Sequence, residues 1–294
     1  MTAYDLVVSA ENDPYLEWQA MLFHHSCVRR VGRAPIVVVH GEGPLRAGYR
    51  LIEETGGRIQ RAPSFRRVGE HDYPPRNAAG TLACVDTAAA RVVLCDPDMI
   101  FLRGFDAAHP EPDEIGVERS TYLRVNVRNR AHLELACTEA GVRLETLEQD
   151  PIDAGVPIVV PAELRERLAR DWLHCIDLVL GLPLPETLGW LTSMWALVLA
   201  VRRLGLRTVT SEQVVANERG APPPRADPSE GPALLHYCYG DDAFEKRDFF
   251  GDAERCERVW QLEPLGGAGL AERLRDEVAA AHAFYGLRAS ARSA

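Results

Sequence analysis

The stretch Arg91–Arg103, RVVLCDPDMIFLR, decides how the rest of the chain is read. Val92, Val93, Leu94 and Cys95 suit a strand buried on both faces, and they run directly into Asp96-Pro97-Asp98, with a second apolar run, Met99 to Leu102, close behind. Ionised carboxylates beside so apolar a strand are costly to bury unpaired, so they are expected at its carboxyl end, in water or on a cation. A hard divalent cation takes oxygen ligands and often bridges one or two protein carboxylates to substrate phosphates. Asp-Pro-Asp is also good turn chemistry, and on the tripeptide alone a solvated β-turn explains it equally well.

The 294 residues can bury a full core. We expect one α/β domain over residues 1–294, with a nucleotide-binding half to about residue 105, an acceptor half over about 106–245 and a C-terminal extension from 246 to 294. The formal charge of -10 speaks against a nucleic-acid or anionic-membrane surface, so an anionic ligand would need a metal or local arginines. Of the 33 basic residues, Lys246 is the only lysine. Seven cysteines, an odd number without a C-x-x-C pair, predict neither a disulfide framework nor a structural zinc site. The N-terminus has no basic start followed by a long apolar region, and no apolar stretch reaches membrane-spanning length, so a soluble, cytoplasmic protein is expected.

Working outward, Tyr4–Ser9 reads as a first buried strand, Glu11 to Pro14 as a polar turn, and Tyr15–Val31 as a helix with Leu16, Ala20, Phe23 and Cys27 on one face. His24 and His25 are adjacent in this helix and point different ways, which favours a structural role over a shared metal. Ile36–His40 and Arg58–Arg61 follow as strands around a short helix, Leu45–Glu54, and this alternation predicts a parallel, doubly wound sheet. Such sheets bind ligands beyond the carboxyl ends of their strands. Pro63–Arg76 is expected as a loop walling the nucleotide, and Ala78–Ala90 as a helix of small residues.

Beyond the Asp pair, Glu114–Val117 is a strand and Arg130–Leu147 a helix broken at Gly141. Asp150 to Val160 is a polar turn feeding another strand. Leu164–Leu180 and Leu188–Leu204 are long amphipathic helices, in which Trp172, Trp190 and Trp195 are expected in the core or an acceptor-cleft wall. Arg207–Thr210 is a short strand, Gly220–Pro232 a surface loop, Ala233–Gly240 a strand ending in a turn, and Leu270–Tyr285 a closing helix.

A strand-end histidine is by itself more often a core or turn residue, yet its imidazole also suits manganese-like ions. Taken with Asp96 and Asp98, His236 becomes a candidate ligand. Several blocks then fall in one order: Tyr15-Leu16-Glu17-Trp18-Gln19, Tyr73-Pro74-Pro75-Arg76-Asn77, Asp96-Pro97-Asp98-Met99-Ile100-Phe101, Asp150-Pro151-Ile152 through Pro157-Ile158-Val159, Leu188-Gly189-Trp190 with Met194-Trp195-Ala196, and His236-Tyr237-Cys238-Tyr239-Gly240. In these blocks the chain resembles the hydroxyproline O-arabinosyltransferase and peptidyl serine α-galactosyltransferase group of GT-A glycosyltransferases, as a bacterial branch.

The resemblance implies a GT-A fold, a Rossmann-like and mostly parallel sheet flanked by helices, with a UDP-sugar donor and manganese or magnesium as cofactor. It also implies retaining transfer of an arabinofuranose or galactose-like sugar to a hydroxyl of a peptide or peptide-like natural product. Asp98 and His236 would bind the metal, and Asp96 the metal or the donor ribose. Tyr73, Pro74 and Asn77 match a donor-side loop, and Ser9 could meet the nucleobase. Asp150 or Asp153 is the candidate carboxylate near the anomeric carbon. The family tends to carry an acid before Met194, where this chain has Ser193, with Glu186 as a nearby substitute. The plant enzymes also bear a membrane anchor, which this chain is not expected to share. No nucleic-acid or membrane partner is expected. A catalytically silent GT-A domain binding a nucleotide or partner is the alternative, motivated by Ser193. A nucleotidyltransferase ranks lower, because Ser9 to Pro14 holds no glycine-rich triphosphate loop.

Overall fold

A computed structural model describes residues 4–107, 109–149, 153–183, 187–216, 231–238, 244–267 and 269–287. In chain order the first elements are β1 (Asp5–Glu11), α1 (Pro14–Ser26), β2 (Ile36–His40), α2 (Ala47–Glu54), β3 (Arg58–Ala62), the two-residue strands β4 (Arg67–Val68) and β5 (His71–Asp72), and α3 (Arg76–Cys84). Then come β6 (Arg91–Cys95), β7 (Met99–Phe101), β8 (Glu114–Glu118), α4 (Arg130–Ala140), α5 (Glu145–Gln149) and β9 (Gly155–Pro161). The chain continues through α6 (Ala162–Leu180), α7 (Thr192–Arg203), β10 (Arg207–Ser211), β11 (Val214–Ala216), β12 (Leu234–His236), α8 (Ala253–Glu257) and α9 (Leu270–Phe284).

Seven strands form a mostly parallel sheet in the order β10-β8-β9-β6-β1-β2-β3. The residues that open the sequence argument behave as expected, since Val92 to Cys95 in β6 and all of β2 are buried. β1 lies parallel to β6 and β10 to β8, while β9 is antiparallel to both β6 and β8, so the sheet is mostly parallel, as expected, with β9 the strand that runs against its neighbours. A strand buried on both faces carries the same apolar pattern whichever way it runs, so its direction was not readable from composition.

Contacts divide the chain into two compact units. The first comprises Met1–Ser9, Ala62–Cys95 and Ala107–Glu212; the second comprises Ala10–Arg61, Asp96–Asp106 and Gln213–Ala294. In the first, the Arg76 guanidinium grips Asp177 through two hydrogen bonds of 2.6 and 2.8 Å and ties α3 to α6. Trp172 on α6 donates its indole N–H to the Ser193 carbonyl on α7 at 2.7 Å. α3 ends at Cys84, six residues earlier than predicted. Val85 turns extended, and the Thr87 hydroxyl donates to Asp5 while accepting from the Ala89 N–H, local bonds that compete with helix continuation. The expected loop 63–76 contains the short β4–β5 hairpin.

In the second unit, the Asp13 side chain caps α1 by accepting from the Leu16 N–H at 2.8 Å. Every residue from Trp18 to Ser26 is buried, so this helix is surrounded by its unit and does not merely lay one face on a sheet. It continues as a π-turn, Cys27–Val31, that stops at Gly32 with φ +72°. The two adjacent histidines are spent on α9 and its end: His24 Nδ1 lies 2.7 Å from the Tyr285 hydroxyl, and His25 Nδ1 lies 2.7 Å from Glu277. Arg29 is a further partner of Glu277, its Nη1 3.1 Å from Oε2. All seven cysteines are free. Among the described residues no helix is long and apolar enough to cross a membrane.

Burial, with the nearby His25 second, lowers the pKa of His24 to about 4. A histidine depressed in the folded state takes up its proton on unfolding, so its stabilising contribution is complete above about pH 6.5 and is lost as the pH falls towards 4, by roughly 3 kcal/mol at most. His24→Asn should lower stability at neutral pH but flatten the acid limb, so urea midpoints measured from pH 7 to 4 should fall less steeply than in the native chain.

Candidate metal centre

The apolar strand β6 delivers Asp96 at its carboxyl end, Pro97 contributes no N–H, and the chain turns through Asp98 into β7. β7 pairs antiparallel with β12, with Phe101 opposite Leu234, Ile100 opposite Leu235 and Met99 opposite His236. One step beyond that register the Tyr237 N–H donates to the Asp98 carbonyl at 3.0 Å. A pairing of only three residues thus sets a histidine, distant in sequence, beside the second aspartate.

His236 Nε2 lies 3.1 Å from Asp98 Oδ1 and 3.9 Å from Asp96 Oδ2. One ligand atom from each of the three residues fits within 4.8 Å of the others. Ligands held about 2.1 Å from a six-coordinate cation lie about 3 Å apart when adjacent and about 4.2 Å apart when opposite. Two carboxylates and an imidazole form a hard to borderline donor set, so both distances and chemistry fit a magnesium- or manganese-like ion.

A fourth residue joins the cluster. The Lys246 ammonium contacts Asp98 Oδ2, and its side chain is only 16 % exposed. Burial alone would raise the Asp98 pKa, but the charges of His236 and Lys246 and their hydrogen bonds hold it well below the usual carboxylate range. Asp96 moves the other way, raised by burial and then by the Asp98 charge, although 42 % of its side chain remains open to solvent. Burial opposes the charge of His236 and of Lys246, but the Asp98 carboxylate, together with Cys238 and, for Lys246, Tyr15, leaves both pKa values raised.

Aromatic packing holds these charges in place. The Trp18 ring, from α1, stacks on Tyr237 with centroids 6.0 Å apart and meets Phe244 and Phe249 edge-on at 6.5 and 6.1 Å. Phe249 closes the 3-10 turn Lys246–Phe249 that begins with the lysine, and the Glu245 side chain caps this turn by accepting from the Arg247 N–H. Ser26 on the same helix donates to the Phe23 carbonyl and accepts from the Phe101 N–H, pinning β7. Asp96, Asp98 and His236 were expected together from the sequence, whereas Lys246 was assigned no role. Its one signal was being the only lysine among 33 basic residues.

The other expected site residues are in the first unit or outside the described residues. Ser9 is half-buried, one residue past the Val8–Cys95 pair in the β1–β6 ladder. The Tyr73 hydroxyl donates to the Trp190 carbonyl at 3.0 Å and accepts from the Ser193 N–H at 2.8 Å. The Pro74 carbonyl accepts from the Asn77 N–H, and buried Asn77 accepts from the Phe65 N–H. Asp153 has one oxygen on the Ser120 N–H and the other on the Thr210 hydroxyl. Asp150 and Glu186 lie outside the described residues, as does most of the Gly220–Pro232 loop. Trp172 and Trp195 are buried, whereas Trp190 is 62 % exposed beside Tyr122, their centroids 5.7 Å apart.

No family model and no curated protein matches the sequence. Among solved structures, WbbM, a bifunctional glycosyltransferase solved in its apo form, is similar at a TM-score of 0.51 and 11 % identity, over 82 % of this chain and 47 % of that one. This chain therefore spans about half the length of the solved chain it matches, and at that identity the likeness is one of fold. The fold is the mixed α/β, GT-A-like fold of glycosyltransferases, with an Asp-Asp-His group beyond the end of β6.

Trp18→Ala should cost about 3–5 kcal/mol in urea unfolding, because it removes a fully packed ring from the cluster. Phe250→Ala, at a neighbouring aromatic that is 61 % exposed, should cost far less.

Proposed function

We propose that this chain is a glycosyltransferase that uses a divalent cation, manganese or magnesium, and moves a sugar from a UDP-sugar to a hydroxyl. The observation that carries the proposal is the Asp96, Asp98 and His236 group, beyond the end of an apolar strand in a glycosyltransferase fold. Asp98 and His236 would hold the cation, and Asp96 would bind either the cation or the donor ribose. Bound there, the cation would supply positive charge for the diphosphate leaving group.

The chain's own residues would do the rest. The Trp18 cluster keeps the ligand set rigid before any ligand arrives, which lowers the ordering cost of binding. Ser9 would meet the nucleobase, while Tyr73, Pro74 and Asn77 would shape the donor side. The carboxylate that stabilises an oxocarbenium-like transition state is proposed among Asp150, Asp153 and Glu186. The order of sequence blocks supports the finer reading, retaining transfer of an arabinofuranose or galactose-like sugar to a peptide or peptide-like natural product.

A thermal-shift series tests the core of this proposal without knowledge of sugar or acceptor. A ligand at a hundred times its Kd adds about 2.7 kcal/mol to the folded state. UDP and Mn2+ together should raise the melting temperature by more than either alone, and Asp98→Asn should abolish that gain. No shift under any combination would sink the UDP and metal reading. A shift without sugar transfer or donor hydrolysis would turn the assignment to a silent nucleotide-binding domain.

A further inference from the structure

Asp98 is engaged on both oxygens by groups of its own chain. His236 Nε2 approaches Oδ1 at 3.1 Å, and the Lys246 ammonium contacts Oδ2. Where every other basic residue is arginine, this position carries the one lysine. The two side chains are not equivalent there. A guanidinium presents a planar fork that locks on to a carboxylate, whereas an ammonium is a compact point charge on a flexible four-carbon stem. On that flexible stem the ammonium can leave without disturbing the backbone that carries it. That backbone is fixed, since the turn beginning at Lys246 is capped by Glu245 and anchored through Phe249 against Trp18 and Phe244.

A divalent ion on Asp96, Asp98 and His236 would draw on the same carboxylate and meet the Lys246 charge at close range in a largely dry setting. A doubly charged ion and an ammonium drawn to the same carboxylate repel each other strongly at such short range. Resting on the metal reading above, we propose that Lys246 is a built-in counter-cation of Asp98 that competes with the divalent ion, and that the ion's arrival frees this ammonium to face an anionic ligand. Metal and anion binding would then be coupled through one side chain. The anion gains a second positive partner only after the ion has entered, and by linkage the anion in turn strengthens retention of the ion.

The test is Mn2+ binding followed by the loss of its free-ion electron paramagnetic resonance signal, with and without UDP. The variants are Lys246→Met, which keeps the stem without the charge, and Lys246→Gln, which keeps a donor without the charge; melting curves confirm that each is folded. With Mn2+ alone, both should bind the ion at least about ten-fold more tightly than the native chain, because the competing cation is gone. Lys246→Arg should not gain this tightening. The factor by which UDP improves Mn2+ binding should fall in Lys246→Met and Lys246→Gln. Mn2+ binding to the native chain that neither neutral variant tightens overturns the competition, and an unchanged UDP factor overturns the coupling. If neither the native chain nor any variant binds Mn2+, the metal reading fails and takes this inference with it.

Discussion

The arrangement around Asp98 depends on keeping a carboxylate charged where only 11 % of its side chain meets solvent. Desolvation disfavours that charge, and an unpaired buried carboxylate would take up a proton. The chain answers with His236 on one oxygen and Lys246 on the other. Each of these partners is itself buried enough to resist charging, and each is held charged by Asp98. The charges of the three groups therefore support one another. Asp96, more open to water, adds a second carboxylate whose charge the neighbouring Asp98 opposes.

Such a cluster is useful only if it is stiff, and its stiffness comes from apolar contacts. Trp18, Tyr237, Phe244 and Phe249 pack as one group, and three of the four lie close in sequence to the cluster's charged residues: Tyr237 follows His236, Phe244 comes two residues before Lys246, and Phe249 ends the turn that starts there. Burying large rings contributes stability through removed apolar area and at the same time fixes where the adjacent polar side chains begin. The short β7–β12 ladder adds register, and Ser26 ties that ladder to α1. Helix α1 thereby serves both the core of its unit and the placement of the charges.

Agreement between sequence and structure follows a physical pattern. β2, β6, α4 with its Gly141 stop at φ +66°, and α9 were legible because buried strands and capped helices leave local signatures. The early end of α3 was missed because Ala88, Ala89 and Ala90 favour helix by propensity, while Thr87 is drawn away by Asp5, 82 residues earlier in the chain. The reversed direction of β9 left no trace in its apolar run. Ser193, conspicuous where an acid was expected, proves to be a buried packing position whose N–H and carbonyl meet Tyr73 and Trp172.

By itself the sequence determined that an apolar strand runs into two carboxylates, which the cost of burying charge places at its carboxyl end, and it made a late histidine the third candidate for the same place. Those inferences need only local chemistry, namely the cost of burying charge and the alternation of strands and helices. That Asp98 holds two cationic partners, that Lys246 is one of them, and that aromatic rings from α1 and the C-terminal segment fix all three, only the tertiary structure decided. The reason is separation along the chain: Lys246 lies 148 residues from Asp98, and no periodicity or spacing rule reports a contact made across that distance.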